Sequence, residues 1–179
     1  TGVLEEMNQK NLELDALREQ VSSMESERDT AVSNLQTMQE NEEGVVRQYQ
    51  RLVQIVKAYG AEDKKTVANV YADMDISLIT DPDMVAVVAE ITSFMGEEGY
   101  QVLADMGNEA RDGQKLDEAL DYYQKSLGIK GDNPQVIYDM ALIYQGRDER
   151  DKANELFGQV IMDYPNTELA NLAKAARGY

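Results

Sequence analysis

One pattern written twice, 34 residues apart, constrains this chain more than any other feature. Leu103 recurs as Ile137, Met106 as Met140, Ala119 as Ala153 and Tyr123 as Phe157, and the small pair Gly107 and Ala141 keeps the same spacing. A period of this length belongs to a helix pair that cannot bury its apolar face alone and stacks against the next pair. Two antiparallel helices approach to about 8 Å only where small side chains sit at the crossing. If the helices pair as the period suggests, Gly107 faces Ala119 and Ala141 faces Ala153. Tyr123 and Phe157 then fill the space against the following helix.

The first helix of the first copy is expected from Glu98 to Arg111, with Gly113 at the turn and a second helix from Lys115 to Leu127. Asn133-Pro134 reads as a cap followed by a first-turn proline. The second copy places Ile137, Met140, Ala141 and Tyr144 on its first helix and Ala153, Phe157, Val160 and Ile161 on its second. Asp163-Tyr164-Pro165 ends it, and Asn166-Thr167 caps a last helix reaching Ala176.

The stretches Gly107-Asn108-Glu109-Ala110 and Asp117 to Leu127, with Lys152 to Phe157 and Asp163-Tyr164-Pro165 in the second copy, resemble the tetratricopeptide repeat family. Gly131 stands where that family prefers proline, Gly113 falls one place early, and Asp148 replaces the turn glycine. The resemblance implies an α-solenoid of helix hairpins that binds a protein or peptide partner. In the family, the first helix of each pair lines the binding groove. Matching positions here are Gln101, Ala104, Asn108 and Arg111 from the first copy, Tyr138, Leu142 and Gln145 from the second, and Leu172 from the last helix. Members that clamp a C-terminal carboxylate use lysine, asparagine and arginine in this groove. Only Asn108 and Arg111 fit that chemistry, so Tyr138 and Leu142 are read either as a cradle for an apolar or extended peptide or as core against the last helix. The bridge that precedes the repeats does not fit the register and is read as a cap.

Residues 1–59 carry a second periodicity. Steps of four and three run Val3, Met7, Lys10, Leu14, Leu17, Val21, Met24, Arg28, Ala31, Leu35, Met38, Glu42, Val45, Tyr49, Leu52, Val56 and Tyr59, interrupted only by Lys10, Arg28 and Glu42. A mean step of 3.5 without proline specifies a left-handed coiled coil. Taking Met7 as an a position puts Arg28 and Glu42 at a and Lys10 at d. Such a helix would reach roughly 85 Å, and its stripe requires a partner helix. A homo-oligomer is expected, a parallel dimer before a trimer, because charged seam residues favour few strands. A competing reading has the helix kink at Asn41-Glu42-Glu43-Gly44, with Val45 to Tyr59 folding onto the next domain instead of continuing the seam.

Residues 60–98 read as a helical bridge. Gly60 stops the long helix, Val67, Val70, Tyr71 and Met74 share a face, and Asp81-Pro82 caps a helix carrying Met84, Val87, Val88, Ile91 and Met95. The apolar run Met84 to Ala89 predicts that this helix is buried. Asp73, Asp75 and Ser77 open like a calcium-binding loop, but Leu78 replaces its glycine and Met84 its bidentate glutamate.

Acidic residues outnumber basic ones 34 to 17, a net charge of −17. Nucleic acid and anionic membranes, which are bound by neutralising phosphate with lysine and arginine, are therefore poor partners. Without cysteine or histidine the usual zinc, thiol and imidazole chemistries are absent, and no cofactor or metal is implied. No run approaches a membrane span. The chain enters a helical pattern directly after Thr1-Gly2, as one whose upstream anchor or signal had been removed would. A coiled coil followed by repeats is similar in layout to bacterial cell-envelope proteins, membrane-anchored or periplasmic, and that setting or the extracellular face is expected before the cytoplasm. The expectation is an all-α, non-enzymatic interaction scaffold with a coiled coil at 1–59, a bridge at 60–98 and repeats at 99–179. A purely structural spacer is the alternative, and an enzyme on envelope polymers would need paired buried carboxylates.

Overall fold

The computed structural model describes residues 2–177, with side-chain surroundings for residues 7–177. Regular structure among them is helical: α1 Gly2–Gly60, α2 Lys64–Ala72, α3 Pro82–Phe94, α4 Tyr100–Asp112, α5 Leu116–Ile129, α6 Pro134–Gly146, α7 Arg150–Asp163 and α8 Glu168–Ala176. Residues 1–47 and 48–179 form two compact units. The packing therefore changes inside α1, and not at its end near residue 59.

In the first unit α1 presents Met7, Leu14, Leu17, Val21, Met24, Leu35 and Met38, all exposed in the single chain. Val3 lies outside the residues whose side chains are described. α1 is helical through Asn41–Gly44, and its Leu52, Ile55 and Ala58 pack in the second unit. One glycine costs a helix only about 1 kcal/mol, which the intact turns on either side absorb.

The second unit begins with a hairpin that the 34-residue period does not reveal. Leu52, Ile55 and Ala58 of α1 are buried in one cluster with Val67, Ala68 and Tyr71 of α2. Its turn is the turn of the repeats. Glu62, Gln114 and Asp148 all take left-handed backbone, at φ 58°, 60° and 59°. Behind each, the next N–H reaches five residues back: Asp63 to the Ala58 carbonyl, Lys115 to Ala110 and Glu149 to Tyr144, each at 2.9 Å. This is the Schellman closure of a helix C-terminus. Counting from these residues, Ile55, Gly107 and Ala141 hold one place, Val67, Ala119 and Ala153 a second, and Tyr71, Tyr123 and Phe157 a third, and all nine are buried. Gly113 lies in the turn as expected, and Gln114 after it carries the left-handed conformation.

Stacking follows chain order. α2 packs on α4 and α5, α5 on α6, and α7 on α8. Three apolar clusters fill the layers in turn. The first joins α1, α2, α3 and Leu103, the second α4, α5 and α6, and the third α6, α7 and α8.

Two expectations for the bridge fail. The break before Glu98 does not exist, because a π turn at Met95–Gly99 joins α3 to α4. The Tyr100 N–H donates to the Met95 carbonyl, five residues back, and a single inserted residue of this kind turns the helix face by about 100°. Ser126, fully buried, donates its hydroxyl to the Tyr100 carbonyl at 2.7 Å just past the turn. The second failure is burial. Only Val88 and Ile91 of α3 reach the core, while Met84, Val85, Ala86 and Ala89 are exposed. An all-round apolar run demands neighbours on every side, and within this unit α3 has them on one.

At the crossing of α4 and α5, a Cβ on Gly107 would stand 2.5 Å from two ring carbons of Tyr123, which is itself fully buried. Gly107→Ala should therefore cost about 1–3 kcal/mol by overpacking. Gln114→Gly should instead gain about 0.5–1 kcal/mol by relieving left-handed backbone, net of unfolded-chain entropy. Urea titrations of the two variants, moving in opposite directions, check both.

Candidate functional site

α4 and α6 both run antiparallel to α5, and α6 and α8 both run antiparallel to α7. The first helices α4, α6 and α8 therefore run in one direction and offer one face. Two contacts tie this face together. Arg111 Nη1 lies 3.3 Å from Asp139 Oδ1, joining α4 to α6. Gln145 Nε2 donates to the Ala176 carbonyl at 2.9 Å, joining α6 to α8.

The eight residues expected along the groove do not share one environment. Asn108 and Arg111 converge on a polar cluster, where the Tyr123 hydroxyl donates to Asn108 Oδ1 at 2.7 Å and Arg111 also holds Asp112 at 3.2 Å. Leu142 and Leu172 are exposed at 38% and 44%, each about one turn before the linked pair Gln145 and Ala176, so both belong to the open face beside that link. Ala104 and Tyr138 pack inward, the first fully and the second in part. Ala104 is buried in the second cluster, and the Tyr138 ring packs on Phe157 with centroids 5.6 Å apart. Gln101 is exposed and bonds Asp105 of its own helix at 3.0 Å.

Asp139 is the residue that the sequence did not single out. It is 7% exposed, the one buried carboxylate among the described residues. Gln135 Nε2 donates to its Oδ1 at 3.1 Å, and Arg111 supplies the counter-charge. Burial nonetheless raises its carboxyl above the ordinary aspartate value, against the lowering effect of both partners. The Tyr123 phenol is pushed up to about 12, first by burial and then by the nearby Asp139 charge, with Arg111 opposing. Tyr123 thus stays a neutral donor. An aspartate in mid-helix carries no signal by itself, and only stacking α6 on α4 sets it opposite Arg111. Its direct partners are a guanidinium and an amide, and the Asp112 carboxylate, held by the same Arg111, also raises its carboxyl.

Residues 110–176 match the model of the family described as tetratricopeptide repeat. Over this segment the chain is similar to tetratricopeptide repeats. The match runs from the last turn of α4 to the end of α8, and the hairpin of α1 and α2, with the same turn and the same buried places, lies outside it. No curated protein matches the chain. Tetratricopeptide repeats generally mediate protein–protein interaction and are typically scaffolds without catalysis of their own. Among the described residues no helix is long and apolar enough to cross a membrane.

The Arg111–Asp139 pair yields a pH-dependent prediction. Arg111→Met leaves a buried carboxylate without its cation, at a cost of roughly 1–3 kcal/mol near neutral pH, discounted because Arg111 is about one-third exposed. A carboxyl whose folded pKa is raised penalises the fold when ionised, and protonation relieves that penalty. The deficit of the variant against wild type should therefore shrink as pH falls through the raised Asp139 value. Urea titrations at pH 7 and pH 4.5 measure it.

Proposed function

We propose that this protein is a binding scaffold whose tetratricopeptide repeats capture an apolar, extended segment of a protein partner on the face of α4, α6 and α8. The observation that carries this reading is the exposure of Leu142 and Leu172 on that face beside a polar cluster of fixed geometry. Large apolar side chains left open next to held hydrogen-bonding groups are how a groove combines affinity with orientation. A net charge of −17 favours basic residues flanking the captured segment, since opposite charge speeds encounter. The test is co-purification of partners with wild type and with Leu142→Asp plus Leu172→Asp. The double variant should lose the captured protein by tenfold or more, about 1.4 kcal/mol or above, with an unchanged melting temperature. Equal capture by both would favour the spacer reading.

The second part of the proposal is that residues 1–47 form a homodimer seam. It is supported by the apolar stripe on α1, with Leu35 and Met38 about 60% exposed in the single chain (61% and 62%), which a lone helix cannot bury. Leu17→Asp plus Leu35→Asp should convert a sedimenting dimer into a monomer while leaving the repeats folded. A cell-envelope setting is the location this layout favours, and a chain of 179 residues without cysteine suits an oxidising compartment.

A further inference from the structure

The three charges in the seam of α1 carry more than an interruption. Lys10 holds a d position, Arg28 and Glu42 hold a positions, and in the structure α1 is unbroken across all three. A parallel, in-register pairing sets each residue opposite its own copy. Lys10 then meets Lys10 of the second copy and Glu42 meets Glu42. The positions that flank those layers across the seam are Asn11 and Asn41, both neutral.

In an antiparallel pairing a positions face d positions instead. Lys10 then meets an a position, and the charged choices are Arg28, which repels it, and Glu42, which attracts it. Setting Lys10 opposite Glu42 of the second copy fixes every other layer without skipping a residue. Met7 meets Val45, Leu14 meets Met38, Leu17 meets Leu35, Val21 meets Ala31, and Met24 meets Arg28. By two-fold symmetry each layer occurs twice, and the Lys10–Glu42 pair closes both ends. Arg28 discriminates less, because Glu27 of the second copy flanks it in either orientation. The overlap from Met7 to Val45 spans about 57 Å and stays within the first unit, residues 1–47. The seam side chains it covers, Leu14, Leu17, Val21, Met24, Leu35 and Met38, are all exposed in the single chain.

We infer that the occupant of this face is a second copy of the chain, bound antiparallel, with Lys10 of each copy against Glu42 of the other. The inference rests on the homodimer reading above and departs from the parallel arrangement expected of the sequence. Its consequence is that the two chains leave the paired segment past Arg47 at opposite ends.

The full chain contains no cysteine, so single introduced thiols report pairing directly. Leu17→Cys and Leu35→Cys chains should each stay uncrosslinked alone under mild oxidation and should form a covalent heterodimer when unfolded together, refolded and oxidised. Self-crosslinking of each variant alone would overturn the orientation while leaving the dimer reading intact. A wild-type chain sedimenting as a monomer would overturn the dimer reading itself, and a trimer would overturn the antiparallel pair. A charge swap guards against a thiol that disturbs the seam. Glu42→Lys should weaken dimerisation roughly tenfold or more, and adding Lys10→Glu should restore it, as expected of a directly facing pair. Absence of that rescue, with dimerisation retained, would overturn the Lys10–Glu42 register.

Discussion

The second unit depends on how closely its paired helices cross. At the α4–α5 crossing the ring of Tyr123 lies on Gly107 with no room for a methyl group, and at α6–α7 the matching pair is Ala141 with Phe157. The rest of the stack is set by that distance. The aromatic ring fills one hairpin and closes the layer to the next. The Tyr123 hydroxyl emerges at Asn108, beside the Arg111–Asp139 pair that joins α4 to α6. Packing and polar recognition are thus two ends of one side chain. A close crossing sets the ring, and the ring sets where the groove's hydrogen-bonding groups stand.

Much of this was legible in the sequence. The two repeats were, because small, alanine and aromatic residues return at the same spacing, and caps such as Asn133 and Thr167 announce their helices. The third hairpin was not. Ile55 and Val67 stand where the repeats use glycine or alanine, and the turns at Glu62 and Gln114 are separated by an extra helix, so no period survives. Tyr71 in the aromatic place, nine residues past the turn, was the remaining signal. The burial of α3 was misread because apolar composition states what a helix tolerates, not how many neighbours the fold supplies. Leu142 and Leu172 stand open. Ala104 is buried and Tyr138 half-buried against Phe157, since a position on a helix does not say which way the adjacent layer leans. Asp139 needed the stack itself to acquire a meaning.

The chain combines two ways of completing helices that cannot stand alone. In the second unit each hairpin covers its neighbour, and the shortage of formal repeats is made up at one end by α1 with α2 and at the other by α8. In the first unit the stripe of α1 is exposed among the described residues, and the proposed second copy would cover it. The two solutions differ in what controls them. Stacking within the chain is fixed by sequence order, whereas pairing between chains varies with concentration and ionic strength.

That α1 belongs to both arrangements has a kinetic consequence. Helix growth is limited by forming the first turn, after which each added residue is inexpensive. The hairpin core around Leu52, Ile55 and Ala58 supplies that first turn from the folded side. The helix upstream of Arg47 therefore has no nucleation step of its own and grows toward its N-terminus from a template already in place. Amide protons along α1 should then exchange in a gradient, slowest around Ile55 and faster toward Met7, and pairing of two chains should flatten that gradient.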